Sequence, residues 1–184
     1  MSNRFRFLGG QRGVWRVTGM TAVSGAGLDP VAAVDVVNNA SPDVPDGTSW
    51  VLQGFTSNIR YATTTELRTL QAIQQPPGRP ESTRAALIPL KKTSQWWDLP
   101  QDARRRIFEE TSHHTEIGLR YLPPIARRLH HCRDLGEPFD FVTWFEFAPE
   151  YSAAFDDLLA KLRATEEWSF IEREVDIRLE RAHG

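Results

Sequence analysis

Cysteine is almost absent from this chain: Cys132 is the only one among 184 residues. A lone thiol excludes an internal disulfide, a cysteine-rich zinc site and a cysteine-ligated iron–sulfur cluster within one chain, and no CxxCH motif is present. Excess positive charge is missing too. With 22 Lys and Arg against 24 Asp and Glu the net charge is -2, so nucleic acid is not an expected partner. No run of about 18 apolar residues occurs, as a spanning helix would need, and the opening MSNRFRFLGGQRGVWRV lacks an apolar stretch of signal-peptide length. The expectation is a soluble, cytoplasmic protein with no membrane partner. Histidine is scarce, at five residues, and no HExxH or other metal-spaced histidine pair appears.

What is present reads as an α+β chain. GVWRVTGMTAV (13–23) and SWVLQGFT (49–56) are rich in β-branched and aromatic residues and predict strands, with DPVAAVDVV between them as a short helix. Thr63 and Glu66 have capping-box spacing, and Leu67, Leu70 and Ile73 follow at helical intervals, which predicts a helix over 63–75, ended by Pro76 and Pro77. QQPPGRPEST (74–83) is the one clear linker by composition. AALIPLKK then predicts a strand, and Pro100 introduces a helix running through QDARRRIFEETSHHTEIG, with Gly118 as its stop.

Ala103, Ile107, Thr111 and His114 recur at helical spacing, which places His114 on the inward face of that helix and His113 roughly 100° away. Residues 120–132 predict an irregular strand. FDFVTWFEF alternates Phe139, Phe141, Thr143, Phe145 and Phe147 against Asp140, Val142, Trp144 and Glu146, a strand with an aromatic face. Ser152 is placed to cap a helix with the stripe Phe155, Leu158, Leu159 and Leu162, and Val175, Ile177 and Leu179 alternate through a last strand. From residue 84 the order is strand, helix, strand, strand, helix, strand, the ferredoxin-like order. The first 80 residues look like a shortened version of it.

SHHTEIGLRYLPPIARR (112–128) brings two histidines and two arginines close together. Adjacent histidines on one helix make a poor two-ligand metal site, whereas one imidazole suffices to hold haem iron, its other ring nitrogen bound to a carboxylate. On spacing alone a core or exposed histidine explains the pattern as well, and an arginine pair is equally explained by one solvent-facing and one packed side chain. Trp96 and Trp97 read first as core or dimer-surface aromatics.

KKTSQWWDLPQDARRRIFEETSHHTEIGLRYLPPIARRL, FDFVTWFEF and FDDLLAKLRATEEWSFIERE together resemble the chlorite dismutase family, in particular its small-subunit branch, over most of residues 85–181. A histidine ending a helix, a glycine four residues on and an arginine thirteen residues after the histidine are met by His114, Gly118 and Arg127.

The resemblance implies a ferredoxin-like antiparallel β-barrel with helices packed outside. Residues 1–83 would form a reduced N-terminal half and residues 84–184 the haem-binding half of one compact unit. It implies one non-covalent haem b per subunit, with His114 as the proximal iron ligand and Glu167 as its carboxylate partner, Glu166 being the adjacent competitor. Lys92, Trp96 and Trp97 would line the edge and proximal side. Arg127 would be the lone distal charge, with Leu122, Thr143 and Phe145 on the distal wall.

The implied activity is decomposition of chlorite to chloride and dioxygen, by oxygen-atom transfer to ferric haem and recombination with hypochlorite, in a homodimer. A coproporphyrin-haem decarboxylase, which lacks the distal arginine, is the nearest alternative. A dye-decolourising peroxidase would call on a distal aspartate such as Asp140 or Asp98, and a non-catalytic haem-binding dimer is the alternative outside enzymes.

Overall fold

The computed structural model describes residues 3–38, 43–56 and 64–182. Among the described residues eight strands close into an antiparallel barrel: β1 Arg4–Gly10, β2 Trp15–Ser24, β3 Ala33–Val37, β4 Thr48–Phe55, β5 Arg84–Lys92, β6 Ala126–His131, β7 Phe141–Phe147 and β8 Ile171–Arg181. Their order around the barrel is β1-β3-β2-β8-β5-β7-β6-β4. Helix α1 (Thr64–Ile73) precedes β5. Helices α2 (Ser94–Asp98), α3 (Gln101–Arg105) and α4 (His114–Leu119) lie between β5 and β6, and α5 (Ser152–Arg163) lies between β7 and β8. No helix among the described residues is long and apolar enough to cross a membrane.

The two-residue period of a strand sends alternate side chains to opposite faces of the sheet, and here both faces are buried. Ala85 and Leu87 of β5 and Val142 and Trp144 of β7 turn inward to join Phe7, Leu52 and Ile177 in the barrel core. Ala86, Ile88, Phe145 and Phe147 turn outward and meet Phe155, Leu158, Leu159 and Leu162 of α5. AALIPL is therefore an unbroken apolar run rather than an alternating one. Phe147 and Phe155 stack with centroids 4.7 Å apart. Each fully buried Leu or Phe of this stripe contributes about 1.5–3 kcal/mol.

Four local expectations are corrected. DPVAAVDVV contains strand β3, not a helix, because Val34 is needed in the barrel core. Phe139 lies before β7 and packs into the barrel interior, away from the outward face of Phe145 and Phe147. Ser152 is the first residue of α5 and not its cap; its hydroxyl donates to the Pro149 carbonyl at 2.7 Å.

The fourth concerns the helix predicted over 101–118. A π-helical turn over Arg106–Thr111 follows α3, His113 takes a left-handed conformation (φ 52°), and α4 starts afresh at His114. His114 thus begins a helix, and Gly118 lies inside α4 instead of ending the longer one. For α1, Leu70 is buried as expected, while Thr63 of the proposed capping box lies outside the described residues.

Candidate active site

Between the outward face of β5, β6 and β7 and helices α2, α4 and α5 lies a cavity of about 540 Å³, within the range of small-molecule sites. His114, Lys92, Trp96, Trp97, Glu167, Leu122, Arg127, Thr143 and Phe145, scattered over 76 positions of sequence, all line it. Glu166 does not; its carboxylate accepts from the Thr111 hydroxyl at 2.8 Å.

The break before α4 determines which histidine enters. His113, in its left-handed conformation, is 58% exposed, whereas His114 is 17% exposed. Glu109 accepts from the Thr115 backbone N–H at 3.0 Å and so caps the new helix. His114 Nδ1 then stands 2.6 Å from Glu167 Oε2. Against an ionised carboxylate Nδ1 is the donor, which leaves Nε2 as the ring nitrogen not engaged by Glu167. Phe108 lies nearly parallel to the imidazole at 4.3 Å and Trp168 at 6.4 Å.

Glu167 is shared. Its Oε1 accepts from Lys92 Nζ at 2.6 Å, and its backbone N–H donates to Ser112 Oγ at 2.9 Å. Burial alone would raise the Glu167 pKa, but the charges of and hydrogen bonds from His114 and Lys92 outweigh it and hold the carboxyl at about 2. Burial pushes the Lys92 pKa down, against the attraction of Glu167 and Asp140.

The two tryptophans differ. Trp97 Nε1 donates to Asp140 Oδ2 at 3.1 Å, and the same oxygen accepts from the Lys92 backbone N–H at 2.7 Å. Asp140 is thereby committed to holding β5 and Trp97, and Asp98 is exposed. Trp96 is 2% exposed, yet among the described residues its Nε1 has no hydrogen-bond partner. A buried indole N–H on a cavity wall is a donor awaiting an acceptor.

Arg127 projects from β6 toward α4: a Cβ built on Gly118 would lie 3.6 Å from its Nη1. Among the described residues no carboxylate pairs with it, and burial alone lowers its pKa. Its neighbour Arg128 instead lies over the Phe5 ring at 4.8 Å. The Arg127 backbone carbonyl accepts from Gln74 Nε2 at 2.6 Å.

Several contributors carry no signal in the sequence. Trp168 directly follows Glu167, and its Nε1 donates to the buried Glu174 at 2.9 Å. Gln74 sits in a segment with the composition of a plain linker. Phe108, Ser112 and Glu109 act through the π-turn geometry, for which no local sequence pattern exists.

The sequence model of the chlorite dismutase family matches residues 48–181. This chain belongs to the chlorite dismutase family, a family of enzymes. It is 49% identical to the dimeric chlorite dismutase of Nitrobacter winogradskyi, covering 97% of this chain and 99% of that one with a TM-score of 0.91. A curated chlorite dismutase of Ideonella dechloratans is 35% identical over 78 residues, 42% of this chain. That match spans 25% of the Ideonella protein's length. The chlorite dismutase of Candidatus Nitrospira defluvii, in a structure with imidazole, shares the fold at 18% identity and a TM-score of 0.66, over 97% of this chain and 92% of that one.

Proposed function

We propose that this protein binds one non-covalent haem b per subunit in the cavity and decomposes chlorite to chloride and dioxygen. The observation that carries the reading is the convergence of an imidazole with a free ring nitrogen and a cation without a counter-charge on one largely apolar cavity. The residues fit the group. His114 Nε2 would hold the iron, Lys92 and Glu167 would fix the tautomer and orientation of His114, and the unpartnered Trp96 N–H suits an acceptor such as a propionate. Bound haem would supply redox-active iron for oxygen-atom transfer.

The chain's own contribution on the other side is Arg127. A guanidinium remains protonated at any working pH even when burial lowers its pKa, so it attracts and orients an anion but takes no proton. Chlorite decomposition to chloride and dioxygen moves no net protons and needs no distal base. In a pocket shielded from water a fixed cation acts more strongly than in solvent, which suits it to retaining hypochlorite until recombination. A peroxidase, by contrast, benefits from a base that shifts a proton, and Asp140 is committed elsewhere. We further propose a homodimer, supported by the dimeric relative that this chain matches over nearly its full length.

Haem titration tests the binding half. Wild-type protein is expected to give a ferric Soret band with saturation at one haem per chain, and His114→Ala to lose haem at micromolar protein concentration. Tight, spectrally normal haem in His114→Ala would place the ligand elsewhere.

A further inference from the structure

Glu146 stands outside the cavity and has no role in the chemistry above, yet it is a buried carboxylate with both oxygens engaged. It projects from β7 with its side chain 7% exposed. Oε1 accepts from Trp144 Nε1 at 2.8 Å, and Oε2 accepts from the Gly78 backbone N–H at 2.6 Å. Arg181 Nη2 stands 3.8 Å from Oε2. Gly78 lies within the 74–83 segment at a φ of +103°, a conformation that favours glycine, and its N–H meets the carboxylate.

The same segment touches the arginine. Gln74 donates to the Arg127 carbonyl, Gln75, Pro76 and Pro77 line the cavity, and Arg79 Nη2 donates to the Pro124 carbonyl at 2.5 Å. On the strand side, Glu146 is paired in register with Ala126 and Phe145 with Arg127. The β6–β7 ladder therefore carries Arg127 on one face and Glu146 on the other, and the segment runs from one to the other around the sheet edge.

We propose that Glu146 is a positioning residue for the anion pocket: by clamping Gly78 it fixes the 74–83 segment across the cavity wall, and through Gln74 it fixes Arg127. The proposal deepens the chlorite reading and rests on it for the identity of the anion. Two N–H groups converge on two carboxylate oxygens, so only a residue with two acceptors satisfies both. Glu146→Gln keeps the volume but turns an NH2 toward one of the donors. Trp144 is locked in the barrel core, so the segment at Gly78 is the side that yields.

The test uses haem-loaded protein and three variants: Glu146→Gln, Gly78→Ala and the double variant. Hydrogen exchange of the peptide spanning 74–83 should accelerate about tenfold or more in each, as expected for loss of a charge-assisted hydrogen bond, with β5 and β8 unchanged. Affinity for nitrite, an unreactive anion of chlorite's charge and bent shape, should fall by a similar factor in the visible spectrum. Hypochlorite captured by a scavenger during chlorite turnover should rise. Gly78→Ala keeps the N–H but strains the φ of +103°, so it acts on the same contact by displacing the donor, and the double variant should be no worse than the more affected single one.

Unchanged exchange in Glu146→Gln overturns the anchor; should that variant not fold, unchanged exchange in Gly78→Ala overturns it equally. Faster exchange with wild-type nitrite affinity and no extra hypochlorite overturns the positioning role. Exchange and nitrite affinity are read without chlorite, so a wild-type protein that evolves no oxygen would sink the chlorite reading separately.

Discussion

Lys92 and Glu167 form an ion pair at 2.6 Å in which both side chains are nearly sealed from water, at 4% and 6% exposure. A buried pair adds little over an apolar substitute, but breaking it strands a charge. The second oxygen of the same carboxylate holds His114, so one interaction links barrel stability to the orientation of the imidazole.

Glu167→Gln is therefore expected to destabilise the apoprotein by about 3–5 kcal/mol, read from denaturant unfolding. Lys92→Met in that background should restore part of the loss. In the haem-loaded protein the same substitution should raise the iron's reduction potential, because a neutral partner withdraws negative charge from the imidazole. An unmoved potential would mean that the carboxylate does not act on the iron through His114.

Arg127→Ala should keep haem while kcat/KM for chlorite falls roughly 10²-fold, the usual scale for removing one preorganised charge-stabilising group. Fewer chlorites should be consumed before inactivation, with hypochlorite appearing in a scavenger assay. Unchanged total turnover without released hypochlorite would reject the trapping role.

His130 provides a pH signature from a buried residue that does not itself line the cavity. Burial first, together with the charges of Arg128 and His131, outweighs a hydrogen bond to the Val142 carbonyl and lowers its pKa from 6.5 to about 4. Between those values the unfolded chain binds a proton that the folded one does not, so stability is full above about pH 6.5 and declines as pH falls toward 4. The contribution is about 3 kcal/mol. Across that window the unfolding free energy of wild type should fall more steeply with decreasing pH than that of His130→Leu. Equal slopes would dismiss this histidine as the cause.

Cys132 should resist thiol reagents in the native state at mildly alkaline pH, because burial raises its pKa to about 12. Labelling as fast as that of a free thiol would show that the β6 end of the barrel opens readily.

The legible parts of the fold were those whose pattern is local. The α5 stripe and the alternation in β8 each declare one buried face, and the ferredoxin-like order followed from them. Strand β3 is hidden because Val34, Val36 and Val37 are apolar under either period, and in β1 the alternation of Phe5 and Phe7 with Arg4 and Arg6 covers too few residues to stand out. The left-handed His113 and the π-turn before it depend on tertiary contacts, notably Ser112 with Glu167, 55 residues apart. The choice between Glu166 and Glu167, and the role of the 74–83 segment, were invisible for the same reason: Gly78 meets Glu146 across 68 residues.

The most direct test of the central claim is an oxygen electrode reading on haem-loaded wild-type protein after a known addition of chlorite. One dioxygen released per chlorite consumed is the predicted result. Chlorite loss with little or no dioxygen, or no chlorite loss at all, would contradict it.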